Sequence, residues 1–296
     1  MKILISGASG LIGTAIANSL VLKGHQVAAL HRNTTKTTPY WNIAGKEINL
    51  GIDRQIDVVI HLAGESIVAG RWSRPKKERI LKSRVEGTRL IADFFAKAAY
   101  QPKVIISASA IGFYGNRGNE ELNEDSAKGS GFLADVCKQW EDATEAASKS
   151  GIRVVNIRSG MVLSAKGGAL AKMLLPFKIG FGGIIGNGKQ YISWITIDDV
   201  VGIINHIINN EDLHGPINLV SPNPVTNHCF TKELGKILNR PTIFLLPAFL
   251  ARIIFGEMAE ELLLTSAKVI PGKLQDSGYF FKNPTLDGAL KNLLTG

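Results

Sequence analysis

Three glycines spaced three apart, Gly7, Gly10 and Gly13 in the run GASGLIG, are the residues whose type and spacing point most directly to chemistry. The first permits a tight turn, the second lets the backbone approach a ligand, and the third lets a helix pack closely on a strand. The N–H groups of Leu11 and Ile12, opening that helix, have no partner within it and carry the positive end of its dipole. Such a cradle suits the pyrophosphate of a dinucleotide. Further on, Leu30-His31-Arg32-Asn33 stands where an NAD site places Asp or Glu against the ribose hydroxyls. A carboxylate there repels a 2′-phosphate, whereas a guanidinium holds it with two hydrogen bonds. The expectation is an NADP(H) site with Arg32 as the phosphate ligand and His31 as a neighbour. The competing reading of Arg32 is an ordinary solvated strand end.

Elements of the right kind surround these residues. KILIS at 2–6 is short, apolar and rich in β-branched residues, as in a strand buried on both faces. Ile12, Ile16 and Leu20 then recur at helical spacing until Gly24, and QVAAL at 26–30 is a second strand. A triple glycine alone is a weak signal; set between a strand and a helix it is a strong one. The alternation continues with a strand at 57–61, a helix at 75–99, a strand at 104–107, a helix at 132–148 and a strand at 152–157. This rhythm predicts an α/β fold with a doubly wound parallel sheet of Rossmann type.

After Arg158 the pattern loosens. A glycine-rich stretch occupies 167–188, residues 191–197 read as a return to the sheet, and a helix at 198–208 carries Asp198 at its N-cap. From Pro222 a second region begins, with helices at 225–238 and 248–265, a strand at 243–246 and a short terminal helix. The expected domains are therefore 1–222, with a substrate-side insert at about 160–190, and a small, mainly helical 223–296.

The 296-residue chain is 45% apolar and 20% charged, ordinary for a well-cored protein. Its net charge of +9 comes from dispersed residues, and the densest run, 71–84, reads as a solvated helix start rather than a nucleic-acid surface. A phosphorylated cofactor or an acidic metabolite accounts for the positive field more simply. Cys137 and Cys229 lack metal-ligand spacing and make no disulfide framework, and the scattered histidines form no metal site. His61, at a buried strand end, reads as structural. With no signal-peptide pattern and no membrane-length apolar run, the expected location is the cytoplasm, as a monomer or homodimer.

With GASGLIG at 7–13, HLAGE at 61–65, SASAIGFYG at 107–115, FLADVCKQWE at 132–141 and GFGGIIGNGKQYISWITIDD at 180–199, the chain resembles the extended short-chain dehydrogenase/reductase superfamily. It is most similar to its atypical NAD-dependent epimerase/dehydratase-like branch, also called cell-division-inhibitor-like, which carries a small C-terminal domain. The resemblance implies that Ala63 and Gly64 lie against the adenosine-side ribose and phosphates. It also implies that Ser107 and Ala108 end the strand behind the nicotinamide, and that the residues after Arg158 meet the carboxamide.

Working members of that superfamily use a Tyr to transfer a proton and a Lys four residues later to lower its pKa and hold the nicotinamide ribose. None of the five tyrosines here has a Lys at that spacing, and alignment on Glu141 puts Leu133 and Cys137 at the two positions. Leucine transfers no proton, and a lone Cys137 without a basic partner stays a thiol. Substitutes are Ser109, near the usual hydroxyl, and Tyr114, either at the nicotinamide edge or a packed ring. Lys189, Gln190 and Trp194 are candidates to line the mouth, while Glu124 and Asp125 read as surface or capping residues. Three functions stay open. One is an NADPH-dependent oxidoreductase on a small polar substrate. The second is an epimerase or dehydratase with relocated catalytic groups, and the third is a non-catalytic NADP(H)-sensing protein.

Overall fold

The computed structural model describes residues 1–32, 38–51 and 55–295. In chain order the strands of the main sheet are β1 (Lys2–Ser6), β2 (Gln26–Arg32), β3 (Tyr40–Asn42), β4 (Glu47–Asn49), β5 (Val58–His61), β6 (Val104–Ala110), β7 (Arg153–Ser159) and β8 (Gly215–Leu219). They lie side by side as β8-β7-β6-β5-β1-β2-β3-β4, with every neighbouring pair parallel except β3 and β4. The chain moves outward from β1 to β2 and then returns to place β5 on the other side of β1. That reversal opens a crevice at the carboxyl ends of β1 and β5, where folds of this type bind ligands.

Both faces of the sheet are covered, which is why its strands read as near-continuous apolar runs. Ile3, Ile5, Ile60 and Ile106 pack toward α1 (Leu11–Leu22) through Ile16 and Leu20, and toward the later helix Ile197–Asn209 through Ile203 and Ile207. Leu4, Val59, Ile105 and Val154 pack on the other face against Ile91 and Phe95 of α2 (Arg74–Ala96). Each such side chain, fully buried, contributes about 1.5–3 kcal/mol.

Several elements differ from the sequence expectation. The helix expected at 132–148 is two, α3 (Phe132–Asp142) and α4 (Glu145–Lys149). The Thr144 hydroxyl donates to the carbonyl of Glu141 at 2.7 Å, taking an acceptor that a continuing helix would use. The glycine-rich stretch contains a helix, α5 (Gly168–Lys178). Residues 191–197 do not rejoin the main sheet: Tyr191–Ile192 pairs with Val225–Thr226, and Trp194–Thr196 with Met161–Leu163. The N-cap of α6 (Ile197–Asn209) is Thr196, whose hydroxyl accepts from the N–H of Asp199, while Asp198 is exposed.

Beyond β8 the chain is mainly helical: α7 (Asn227–Ile237), α8 (Ala248–Phe255), α9 (Gly272–Asp276) and α10 (Leu286–Thr295). α7 and α10 share a core with α5 around Trp194, Phe230 and Leu290. Besides Tyr191–Ile192 with Val225–Thr226, two further short pairings among the described residues join this region to the first: Gly183–Ile185 with Phe244–Leu246, and Glu121–Leu122 with Lys268–Val269. Among the described residues no helix is long and apolar enough to cross a membrane.

Candidate functional site

β1 ends in a turn that only glycine can make. Gly7 has φ +74°, and a Cβ on it would lie 2.9 Å from the backbone nitrogen of Ala63. A Cβ on Gly13 would lie 2.2 Å from the Gly7 carbonyl oxygen, so this glycine sets how closely α1 approaches β1. The N–H of Gly10 donates to Gly7 O at 3.1 Å and closes the turn. Gly10 is also the N-cap of α1, which has no side-chain cap and no acidic residue in its first turn. The opening N–H groups, including those of Leu11 and Ile12, are left to an anion. A dinucleotide pyrophosphate fits a cradle whose glycines leave no side chain in its way.

On the adenosine side, His31 and Arg32 end β2 and are exposed. The Glu65 carboxylate feels the charge of Arg32, and Lys76 Nζ donates to it at 2.7 Å with Arg79 Nε at 3.9 Å. The bond from Lys76 holds the Glu65 carboxyl below the usual range, and the charges of Lys76, Arg79 and Arg32 lower it further. Its negative charge is thereby offset beside the exposed guanidinium of Arg32. Buried Ala63 and half-buried Gly64 follow β5 directly beside the cradle.

β6 runs on to Ala110, so Ser107 and Ala108 lie within the strand and do not end it as expected; Ser107 is fully buried, in register with His61 on β5 and Asn156 on β7, and Ala108 is half-buried. His61 Nδ1 meets Ser6 Oγ at 2.5 Å, its ring stands edge-on to Trp41, and burial lowers its pKa to about 3. It is a neutral structural histidine.

Ser109 and Tyr114 are brought together, but through a buried polar chain. Ser109 Oγ donates to Glu141 Oε1 at 2.6 Å. Arg158 grips the same carboxylate with two bonds of 2.8 Å and also donates to the Tyr114 hydroxyl at 2.9 Å. Tyr114 in turn donates to Asn218 Oδ1 at 2.7 Å. The Arg158 guanidinium lies 3.5 Å from the Phe113 ring centroid. Ser109 is 2% exposed and Tyr114 0%, and burial pushes the phenol up to about 12. Leu133 and Cys137 lie under the turn that follows β6: a Cβ on Gly112 would be 3.2 Å from Leu133 Cβ and 3.7 Å from Cys137 Sγ. Burial, reinforced by the charge of Glu141, pushes the Cys137 thiol up to about 12.

Other candidates fall elsewhere. Trp194 is a core residue whose Nε1 donates to the Asn223 carbonyl. Gln190 is buried and donates to the carbonyls of Ile185 and Leu263, while Lys189 is exposed. Glu124 is not a surface residue: it is buried, and its carboxylate accepts from the N–H groups of Asn218 at 3.0 Å and Lys273 at 3.4 Å. Asp125 is exposed.

Sequence reasoning missed Glu261, whose two oxygens accept from the N–H groups of Phe132 and Leu133 at 3.0 and 3.1 Å. This caps α3, whose own N-cap is Gly131. A capping carboxylate so far along the chain leaves no local signature. The Glu141–Arg158 pair was missed for the same reason. Among the described residues no group of three or more His, Cys, Asp or Glu could hold a metal ion.

The reversed parallel sheet with a glycine cradle at its carboxyl edge defines a Rossmann-type dinucleotide-binding protein. Residues 3–219 match the NAD dependent epimerase/dehydratase family, and residues 246–293 match a domain of unknown function (DUF1731). The chain belongs to the NAD-dependent epimerase/dehydratase family. An epimerase family protein of Mycobacterium leprae is 38% identical over 98% of this chain and 95% of its own length. The crystal structure of the human epimerase family protein SDR39U1 with NADPH has a TM-score of 0.92 at 34% identity, covering 100% of both chains. That of a nucleoside-diphosphate sugar epimerase from Corynebacterium glutamicum has a TM-score of 0.81 at 36% identity, over 99% of this chain and 58% of that one.

Proposed function

We propose that this protein is an NADP(H)-dependent oxidoreductase acting on a small polar substrate, within the atypical, cell-division-inhibitor-like branch of its family. The observation that carries the cofactor half is Arg32: an exposed guanidinium ends β2, and the Glu65 carboxylate that feels its charge is held by Lys76 and Arg79. The human relative with NADPH supports the same choice. When bound, the cofactor supplies the hydride chemistry. The chain's own residues hold its phosphates at Gly10–Gly13 and its 2′-phosphate at Arg32, with Ala63, Gly64, Ser107 and Ala108 forming the wall behind it. Ser109 and Tyr114 act at one remove, keeping the end of β6 in place through Glu141 and Arg158, because neither hydroxyl is free to exchange a proton with a substrate.

That engagement of both hydroxyls favours a second reading, an NADP(H)-binding protein that senses the cofactor without turning it over. Following NADPH oxidation against aldehydes, ketones, quinones and nucleotide sugars separates the two. Turnover with any of them supports the oxidoreductase. Tight NADPH binding without turnover across that panel supports the sensor.

A further inference from the structure

The sixteen large apolar side chains exposed among the described residues are not scattered: ten of them fall in 175–181 and 243–254. The two segments lie together. Gly183–Ile185 pairs in parallel with Phe244–Leu246, the rings of Phe181 and Phe244 stack at 5.2 Å, and Arg240 Nε donates to the carbonyl of Lys178 at 2.7 Å. α8 follows at once with the sequence AFLARIIF, apolar at every position but Arg252. A helix of that composition belongs inside a core or in lipid. Yet Ala251 is its one buried residue, and Phe249, Ile253 and Ile254 are 59%, 63% and 52% exposed. Spaced four apart, Phe249 with Ile253 and Leu250 with Ile254 lie on one face. A contiguous apolar surface of this extent marks a place of contact.

Charge indicates what covers it. Residues 166–197 hold four lysines, and 234–256 hold Lys236, Arg240 and Arg252, with no Asp or Glu in either segment. Lys172, at helical spacing from Leu175 and Ile179, and Lys178 are exposed and make no ion pair among the described residues. Arg252 pairs with Glu260, and the other carboxylate beyond α8, Glu257, is held by Lys77. A second copy docked face to face would set these cations against themselves, because a twofold interface repeats one patch on both sides. An anionic bilayer suits both the apolar and the basic parts. Eight residues of helix span about 12 Å, far short of a bilayer core, so α8 would lie along the surface. We propose that this face docks on an anionic phospholipid bilayer. Phe249, Ile253 and Ile254 enter the boundary between headgroups and acyl chains, and Lys172, Lys178 and Arg240 lie among the phosphates.

The test is co-sedimentation of the full chain with vesicles of phosphatidylcholine alone and of phosphatidylcholine mixed two to one with phosphatidylglycerol. The wild-type protein is expected to bind the anionic vesicles at least about tenfold more tightly than the neutral ones, and to be released by added salt. Lys172→Gln and Lys178→Gln are each expected to weaken binding about fivefold. Phe249→Ser combined with Ile253→Ser is expected to abolish binding while leaving the thermal melt unchanged. Should that double variant fail to fold, Phe249→Trp carries the test: its added emission is expected to be quenched by brominated lipid in anionic vesicles, and a lack of quenching overturns the docking. Binding that survives the loss of Phe249 and Ile253 comes from net charge alone and overturns the assignment of this face. A wild-type protein that stays in solution with both vesicles overturns it too, and a dimer dissolved by the same double substitution would then make the occupant a second copy.

Discussion

Arg32 is one exposed side chain, and on the function proposed above the choice between two cofactors turns on it. Its guanidinium offers two parallel hydrogen bonds to a phosphate, and nothing else in NADPH distinguishes it from NADH. Arg32→Ala is therefore expected to raise the Kd for NADPH about ten- to a hundredfold and to leave that for NADH unchanged, read by fluorescence titration. Equal loss for both would make Arg32 an ordinary strand end. Tyr114 calls for the opposite expectation. Its hydroxyl accepts from Arg158 and donates to Asn218, so Tyr114→Phe strips a partner from two buried groups. A stability loss of about 1–3 kcal/mol is expected, with NADPH affinity retained. A collapse of turnover without loss of stability would instead make Tyr114 a proton donor. Glu141→Gln goes further, leaving the Arg158 guanidinium buried without its counter-charge, at an expected cost of about 3–5 kcal/mol in denaturant unfolding.

At the scale of elements, α3 carries most of what is unusual. Its inward face presents Leu133 and Cys137 beneath the turn after β6, and its N-terminus is capped from the C-terminal region by Glu261. Glu261→Ala is expected to cost about 1 kcal/mol and to speed amide exchange at Phe132 and Leu133; unaltered exchange would show that the cap contributes nothing. The same helix marks where sequence reading succeeds and where it ends. β1, α1, β5 and α2 are legible because each is a strongly patterned run with its own start and stop signals, and the glycine cradle is legible because its parts are contiguous. The absence of the Tyr/Lys pair is legible too, being a matter of spacing. β3, β4 and β8 are not. The first two are three-residue strands, and β8, with the sequence GPINL, opens on Gly and Pro, both poor strand formers. The break between α3 and α4 turns on one hydroxyl, that of Thr144. Glu141–Arg158, Glu124–Asn218 and Glu261–Phe132 join distant segments, and no local pattern announces such contacts.

At the scale of the whole molecule, the polar groups buried at the carboxyl ends of β1 and β5 tie global stability to pH. His61 is fully buried at the end of β5, and burial lowers its pKa from 6.5 to about 3. Below the unfolded value the unfolded chain takes up a proton at this site and the folded chain does not. Stability therefore rises with pH across this window, is complete above pH about 6.5, and falls as the pH drops toward the folded value. The slope from one such group approaches about 1.4 kcal/mol per pH unit. His25 and His206, also lowered by burial, add to it more weakly, being far less enclosed. The carboxyls that are lowered by their partners, Asp57, Glu65, Glu120, Glu145 and Asp287, contribute only at more acidic pH, because their ordinary values lie at 3.8 and 4.5. Glu124, raised above its ordinary 4.5 by burial, acts in the opposite sense, its contribution weakening as the pH rises past that value. Denaturant midpoints between pH 5 and 7 therefore carry the histidines against Glu124, and His61→Asn, which leaves Ser6 a polar neighbour, isolates His61 by difference. The wild-type protein is expected to lose stability steadily from pH 6.5 to 5, and the variant to show a much flatter limb. Parallel slopes in the two proteins would mean that His61 takes up a proton in the folded state, with water reaching the inner end of the crevice between β1 and β5.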